Sequence, residues 1–158
     1  MEIAAHIDKI QRMATLLDKL DPVEDFELWM WMSMTIATHG VNAALHQAGL
    51  TKSDNYYSYH VIGLYVVPPE KNGEWRKASL PLGDIVHVDS PPVRGALPQA
   101  IRGAFEALKI LEDMRDPYIR RAEPITPQLA DRCRDAYRAC MRGACELLPD
   151  LKERLSGL

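Results

Sequence analysis

The chain has 158 residues, 47% of them hydrophobic and 26% charged, with a formal net charge of −3. Those figures fit one ordinary globular domain spanning 1–158 and exclude disorder, a disulfide scaffold and a strongly basic nucleic-acid module. Apolar runs fall well short of the roughly 20 residues of a membrane span, so no membrane partner is expected.

The segment Met1–His6 lacks the basic patch and apolar stretch of a signal peptide. Three cysteines, Cys133, Cys140 and Cys145, fall in one helical stretch, as free thiols of a reducing compartment do. A cytoplasmic protein is the expectation. Charge is uneven: residues 1–93 carry 7 basic and 12 acidic side chains, and residues 94–158 carry 12 and 10. The skew is too small to mark a nucleic-acid surface.

Helix one is expected over about Glu2 to Leu20, where Ile3, Ile7, Ile10, Ala14, Leu17 and Leu20 recur at three- and four-residue steps. Helix two has the clearest start in the chain. Asp21 can cap it, Pro22 suits the first helical position, and Glu24 completes a capping box. Gly49 suits its C-terminal stop. Its first half, with Phe26, Trp29, Met30, Trp31 and Met34, is apolar nearly all round, which predicts burial on several sides or a subunit interface. Gly40 and Ala44, four apart, predict a close helix neighbour.

Residues 50–96 change character, with recurring Pro, Gly, Asn and Ser. Tyr56–Val67 and Asp84–Val88 favour strands, although Tyr56–Tyr65 can also begin as a short helix. Asn72-Gly73 is a hairpin signal. Helix three is expected from Pro98 to Arg115, ended or kinked by Pro117. Helix four is expected from the cap Thr126-Pro127 to just before Pro149, followed by a frayed tail. The predicted fold is mostly α, a four-helix bundle with a long crossover (about residues 50–96) carrying a small β-hairpin.

Thr35, His39, Asn42 and His46 are spaced 4, 3 and 4, so they share one face of helix two. A polar stripe on an apolar helix either emerges into solvent or lines a polar pocket against the crossover. In the second case His60 and His87, both in the crossover, join it as ligand-binding residues. A metal centre is not expected from these four histidines. His39 and His46 are seven residues apart, about 10 Å along the helix axis, too far to share one ion. No His-x-x-x-His or Cys-x-x-Cys occurs, and no cofactor motif is present. In Asp84–Asp89 the alternation turns His87 and Asp89 outward. Cys133 and Cys140 sit at core positions. Arg134, Arg138 and Arg142 form a face that Asp131 and Asp135 can neutralise.

The helix ending Asn42-Ala43-Ala44-Leu45-His46-Gln47-Ala48-Gly49, a polar loop, and then Ser58-Tyr59-His60-Val61-Ile62-Gly63-Leu64-Tyr65 resembles the HEPN superfamily of bacterial helical bundles. That resemblance implies a bundle fold and dimerisation. RNA-cutting members carry an arginine, four to six residues and a histidine on a late helix. No histidine follows His87 here, so the RNase motif is lacking. The leading expectation is therefore a non-catalytic homodimer, joined through the apolar half of helix two, that binds a small ligand or protein partner. A metal-binding protein or hydrolase using histidines of helix two and the crossover is the first alternative. An RNA-associated HEPN-like protein is the second.

Overall fold

The computed structural model describes residues 1–51, 84, 97–121 and 123–155, together with the strand backbone at 60–61, 64–67 and 76–77. It is a mostly helical bundle. Helix α1 spans Ile3–Leu17 and buries Ile7, Ile10, Ala14 and Leu17, the stripe that the periodicity marks. His6 is buried within the same face.

Helix α2 spans Phe26–Gln47 and begins four residues later than its capping signal suggests. The Asp21 carboxylate does accept from the amides of Val23 and Glu24, at 2.8 and 2.9 Å. The Asp25 carboxylate, not that of Glu24, reaches back to the Asp21 amide at 3.0 Å. These bonds close a separate turn over 22–25, and the regular helix starts beyond it. Its end is as expected. Gly49 adopts φ +69°, in the left-handed region that glycine reaches without penalty. The Leu50 amide then donates to Leu45 O and the Gly49 amide to His46 O, both at 3.0 Å. This Schellman pairing satisfies carbonyls that the last turn leaves open.

In the crossover, strands β1 (His60–Val61), β2 (Leu64–Val67) and β3 (Arg76–Lys77) pair antiparallel in that order. His60 lies opposite Tyr65, and Val66 opposite Lys77. The Asn72-Gly73 turn and the strand expected after Asp84 lie outside the described residues.

Helix α3 spans Gln99–Arg115. Pro117 has no amide hydrogen to continue the ladder, and the chain passes into a five-residue π-helical turn over Asp116–Arg120. Helix α4 spans Pro127–Leu147, capped by the Thr126 hydroxyl, which accepts from the Leu129 amide at 3.2 Å. The expected frayed tail is instead a fifth helix, α5 (Pro149–Leu155), whose Leu151 is fully buried. Pro149 ends one helix and opens the next, since proline suits a first helical position. Among the described residues, no helix is long and apolar enough to cross a membrane.

The core is continuous across the helices. α3 lies along α4, α1 packs on α2, and α2 also meets α3 and α4. Two glycines set how closely helices approach. A Cβ on Gly40 would lie 3.3 Å from the Ala144 Cβ, and one on Gly143 would lie 2.6 Å from the Ala100 carbonyl oxygen. The second is a clash with α3 backbone that no side-chain rotation relieves. A Cβ on Gly103 meets nothing within 4 Å.

Alanine in place of a mid-helix glycine gains about 1 kcal/mol of propensity, and overpacking costs about 1–3 kcal/mol. Gly143→Ala is therefore expected to lower the melting temperature and Gly103→Ala to raise it. Thermal unfolding followed by circular dichroism checks both signs, and a stabilised Gly143→Ala would contradict the α3–α4 packing.

Candidate functional site

Three histidines and one aspartate meet where α1 packs against the C-terminal half of α2. His6, on α1, has no exposed surface, so both of its ring nitrogens need partners inside the protein. Its Nδ1 lies 2.9 Å from His39 Nδ1, and its Nε2 lies 3.1 Å from Asp84 Oδ1. His46, two turns along α2 from His39, places its Nε2 2.8 Å from the same Asp84 oxygen. The Thr51 hydroxyl stands 2.6 Å from His46 Nδ1. The amino group of Met1 donates to Asp84 Oδ2 at 3.0 Å. The His6 ring lies between the other two, with centroids 5.1 Å from His39 and 5.6 Å from His46.

Local structure explains the convergence. A spacing of seven residues keeps His39 and His46 on one face of α2 but separates them by about 10 Å, and His6 fills the gap from α1. The left-handed turn at Gly49 folds the chain back, so that Thr51, five residues after His46, reaches that ring. Asp84 comes from the crossover and is 17% exposed.

Burial alone would raise the Asp84 carboxyl. Hydrogen bonds from His46 and His6, the charge of His6 and the terminal amino group outweigh it and hold the carboxyl well below the usual carboxylate range. Asp84 is thus a carboxylate, able only to accept. Burial, and then the nearby charges of His6 and Lys9, push His39 down to about 4.

His39 and His46 lie in the cluster. Asn42, 3% exposed, lies between them on the same face of α2. Thr35 does not belong. It is exposed, and its hydroxyl donates to the Trp31 carbonyl one turn back at 2.7 Å. The His60 side chain and all of His87 lie outside the described residues. The sequence reading missed His6, Asp84 and Thr51. His6 carried a signal, being a polar residue at the three- and four-residue steps of an otherwise apolar stripe. Asp84 is 78 residues from His6, and nothing local marks it.

Thr51, His46 and Asp84 form an alcohol–imidazole–carboxylate line, but Thr51 is 5% exposed and its hydroxyl is enclosed. The cysteine thiols are also unsuited to attack, because burial pushes Cys133 up to about 11 and Cys140 to about 12. On the arginine face, the self-neutralising pairs reduce to Arg134 with Asp131 at 3.2 Å among the described residues.

What remains is a set of ligand atoms. One nitrogen each from His6 and His46 and one oxygen from Asp84 lie within 4.8 Å of one another. Compared with known proteins, the chain matches no family model, no curated protein and no solved structure.

The lowered His39 value sets a pH dependence. Unfolded, His39 binds a proton near its ordinary 6.5; folded, it does so only near about 4. Between those values the unfolded state holds the extra proton, so this contribution to stability falls as pH drops from 6.5 towards 4. In chelator-treated protein, His39→Phe is expected to flatten the loss of stability between about pH 6.5 and 5. Urea denaturation at several pH values measures it, and a variant as acid-sensitive as the parent would contradict the burial of His39.

Proposed function

We propose that this protein is a non-catalytic ligand-binding helical bundle whose ligand is a divalent transition-metal ion, zinc being the best fit. His6 Nε2, His46 Nε2 and Asp84 Oδ1 are the ligand atoms. One observation carries this: two imidazoles and a carboxylate from three separate elements converge within 4.8 Å. His39 and His46, two turns apart on α2, are too far apart to share one ion. His6 replaces His39 as the second nitrogen ligand.

Three supports bear on the choice of ion. Imidazole with carboxylate suits borderline metals, and no thiolate, which a softer ion would favour, is among the converging groups. Zinc ligands about 2.0–2.1 Å from the ion stand about 3.3 Å apart in a tetrahedron. The observed 3.1 and 2.8 Å from the two Nε2 atoms to Asp84 Oδ1 need only a few tenths of an ångström of opening. Asp84 is already ionised, so the ion meets a formed negative charge.

A homodimer joins the proposal through the outer side of α2. There Leu28 is 54% and Trp31 42% exposed, while Trp29 is buried in the core. The RNA-associated alternative, with HEPN kinship, rests on the arginines of α3 and α4 in a chain that is acidic overall, so it has less behind it.

Isothermal titration of chelator-treated protein with zinc is expected to show one ion per chain. His46→Ala and Asp84→Ala should each weaken it at least 10-fold, as the loss of a ligand must. Zinc bound no better by the parent than by the double variant would exclude the site. For the dimer, Trp31→Glu is expected to shift the sedimentation coefficient to that of a monomer, and an unchanged value would remove that interface.

A further inference from the structure

The distances around the two ligand histidines carry a second conclusion, which rests on the metal reading above. Each of these rings is held at both nitrogens. His6 has Asp84 on its Nε2 side and His39 on its Nδ1 side. His46 has Asp84 on its Nε2 side and Thr51 on its Nδ1 side. We propose that His39 and Thr51 are positioning residues whose hydrogen bonds to His6 and His46 reverse direction when metal binds, so that both rings change tautomer, the proton released from each Nε2 being replaced at Nδ1 by exchange with solvent and no proton being gained or lost overall.

The chain runs in one direction without metal. Asp84 can only accept, so whenever His6 and His46 carry a single proton each, that proton sits on Nε2 and is donated to Oδ1. Their Nδ1 atoms are then acceptors. His39 Nδ1–H donates to His6, and the Thr51 hydroxyl donates to His46. Every polar atom of the fully buried His6 ring is satisfied.

A metal ion at the two Nε2 atoms needs their lone pairs, so the ring protons must sit on Nδ1. The partners must then accept. His39 presents a bare Nδ1 and carries its own proton on Nε2, and the Thr51 oxygen accepts from His46. Each ring keeps one proton throughout. An imidazole and a hydroxyl are among the few neutral side-chain groups that can both donate and accept at one atom, and those two types occupy these places. A fixed donor would lock the metal-free tautomer. An apolar side chain would leave a buried N–H without a partner. Hydrogen-bond partners on the far nitrogen of a ligating histidine orient its ring and raise its basicity, and their loss typically weakens metal binding about 10- to 100-fold.

Two measurements test this. Zinc affinity is compared in the parent, His39→Phe, His39→Asn and Thr51→Val, with melting of the metal-free proteins as a control for folding. His39→Phe and Thr51→Val are expected to lose about 10- to 100-fold, and His39→Asn, which keeps a short acceptor beside His6 Nδ1, to recover most of the loss. In parallel, nitrogen-15 NMR of the imidazoles at about pH 8.5 reports the tautomers directly in the unaltered protein, whatever the variants do. It should show His6 and His46 protonated on Nε2 without zinc and on Nδ1 with it. A parent that binds no zinc overturns the metal reading and this inference with it. A parent that binds zinc without the tautomer change, or a folded His39→Phe with parental affinity, overturns the tautomer switch alone and leaves the metal site standing.

Discussion

A histidine with no exposed surface must find both of its hydrogen-bond partners inside the protein, and His6 is such a residue. It stands in the apolar face of α1, among Ile7, Ile10 and Ala14, where an unpaired imidazole would oppose folding. Its two partners, His39 on α2 and Asp84 in the crossover, therefore do more than decorate the interface. They allow α1 to pack on α2 with a polar group at the centre, and they tie a residue 78 positions away to the N-terminal helix.

The rest of the bundle supplies the rigidity that this arrangement needs. Gly40 and Gly143 let α4 lie close to α2 and α3, within distances that a methyl group would violate or strain. A continuous core through Met30, Ile36, Leu45, Ile101, Leu108 and Leu111 fixes α2 from several sides. The C-terminal half of α2 continues the helix without a break and is itself largely buried, through Ala37, Gly40, Val41, Ala44 and Leu45, so His39 and His46 are held by the packing of the same helix. The Schellman turn at Gly49 then places Thr51 against His46. The three histidines and Thr51 are thus positioned by helices and one tight turn, which favours fixed imidazole positions over adaptable ones.

Much of the helical architecture could be read from the sequence because its signals are local. The stripes of α1, α3 and α4, the cap at Thr126 and the stop at Gly49 each depend on residues within one or two turns. The start of α2 moved because Asp25, four residues after Asp21, competed with Glu24 for the Asp21 amide. The α5 helix was hidden because Pro149 reads equally as a stop and as a start. The site was half legible. Helical periodicity put Thr35, His39, Asn42 and His46 on one face. It could not show that Thr35, 11 residues and about 16 Å along the axis from His46, lies beyond the reach of His6 and faces outward. His6 was visible as a polar interruption of an apolar stripe. Asp84 was not, because a pairing of such separation depends on the crossover's path and leaves no local trace.

On the account given, a cluster that stabilises the fold without metal also forms a binding centre, since the same nitrogens that donate to Asp84 can turn their lone pairs to an ion. X-ray absorption at the zinc edge of the loaded protein tests this most directly. The account predicts a first shell of nitrogen and oxygen alone, at about 2.0–2.1 Å, with the outer-shell scattering of two imidazole rings. Sulfur at about 2.3 Å, or a shell without imidazole scattering, would place the ion elsewhere and contradict it.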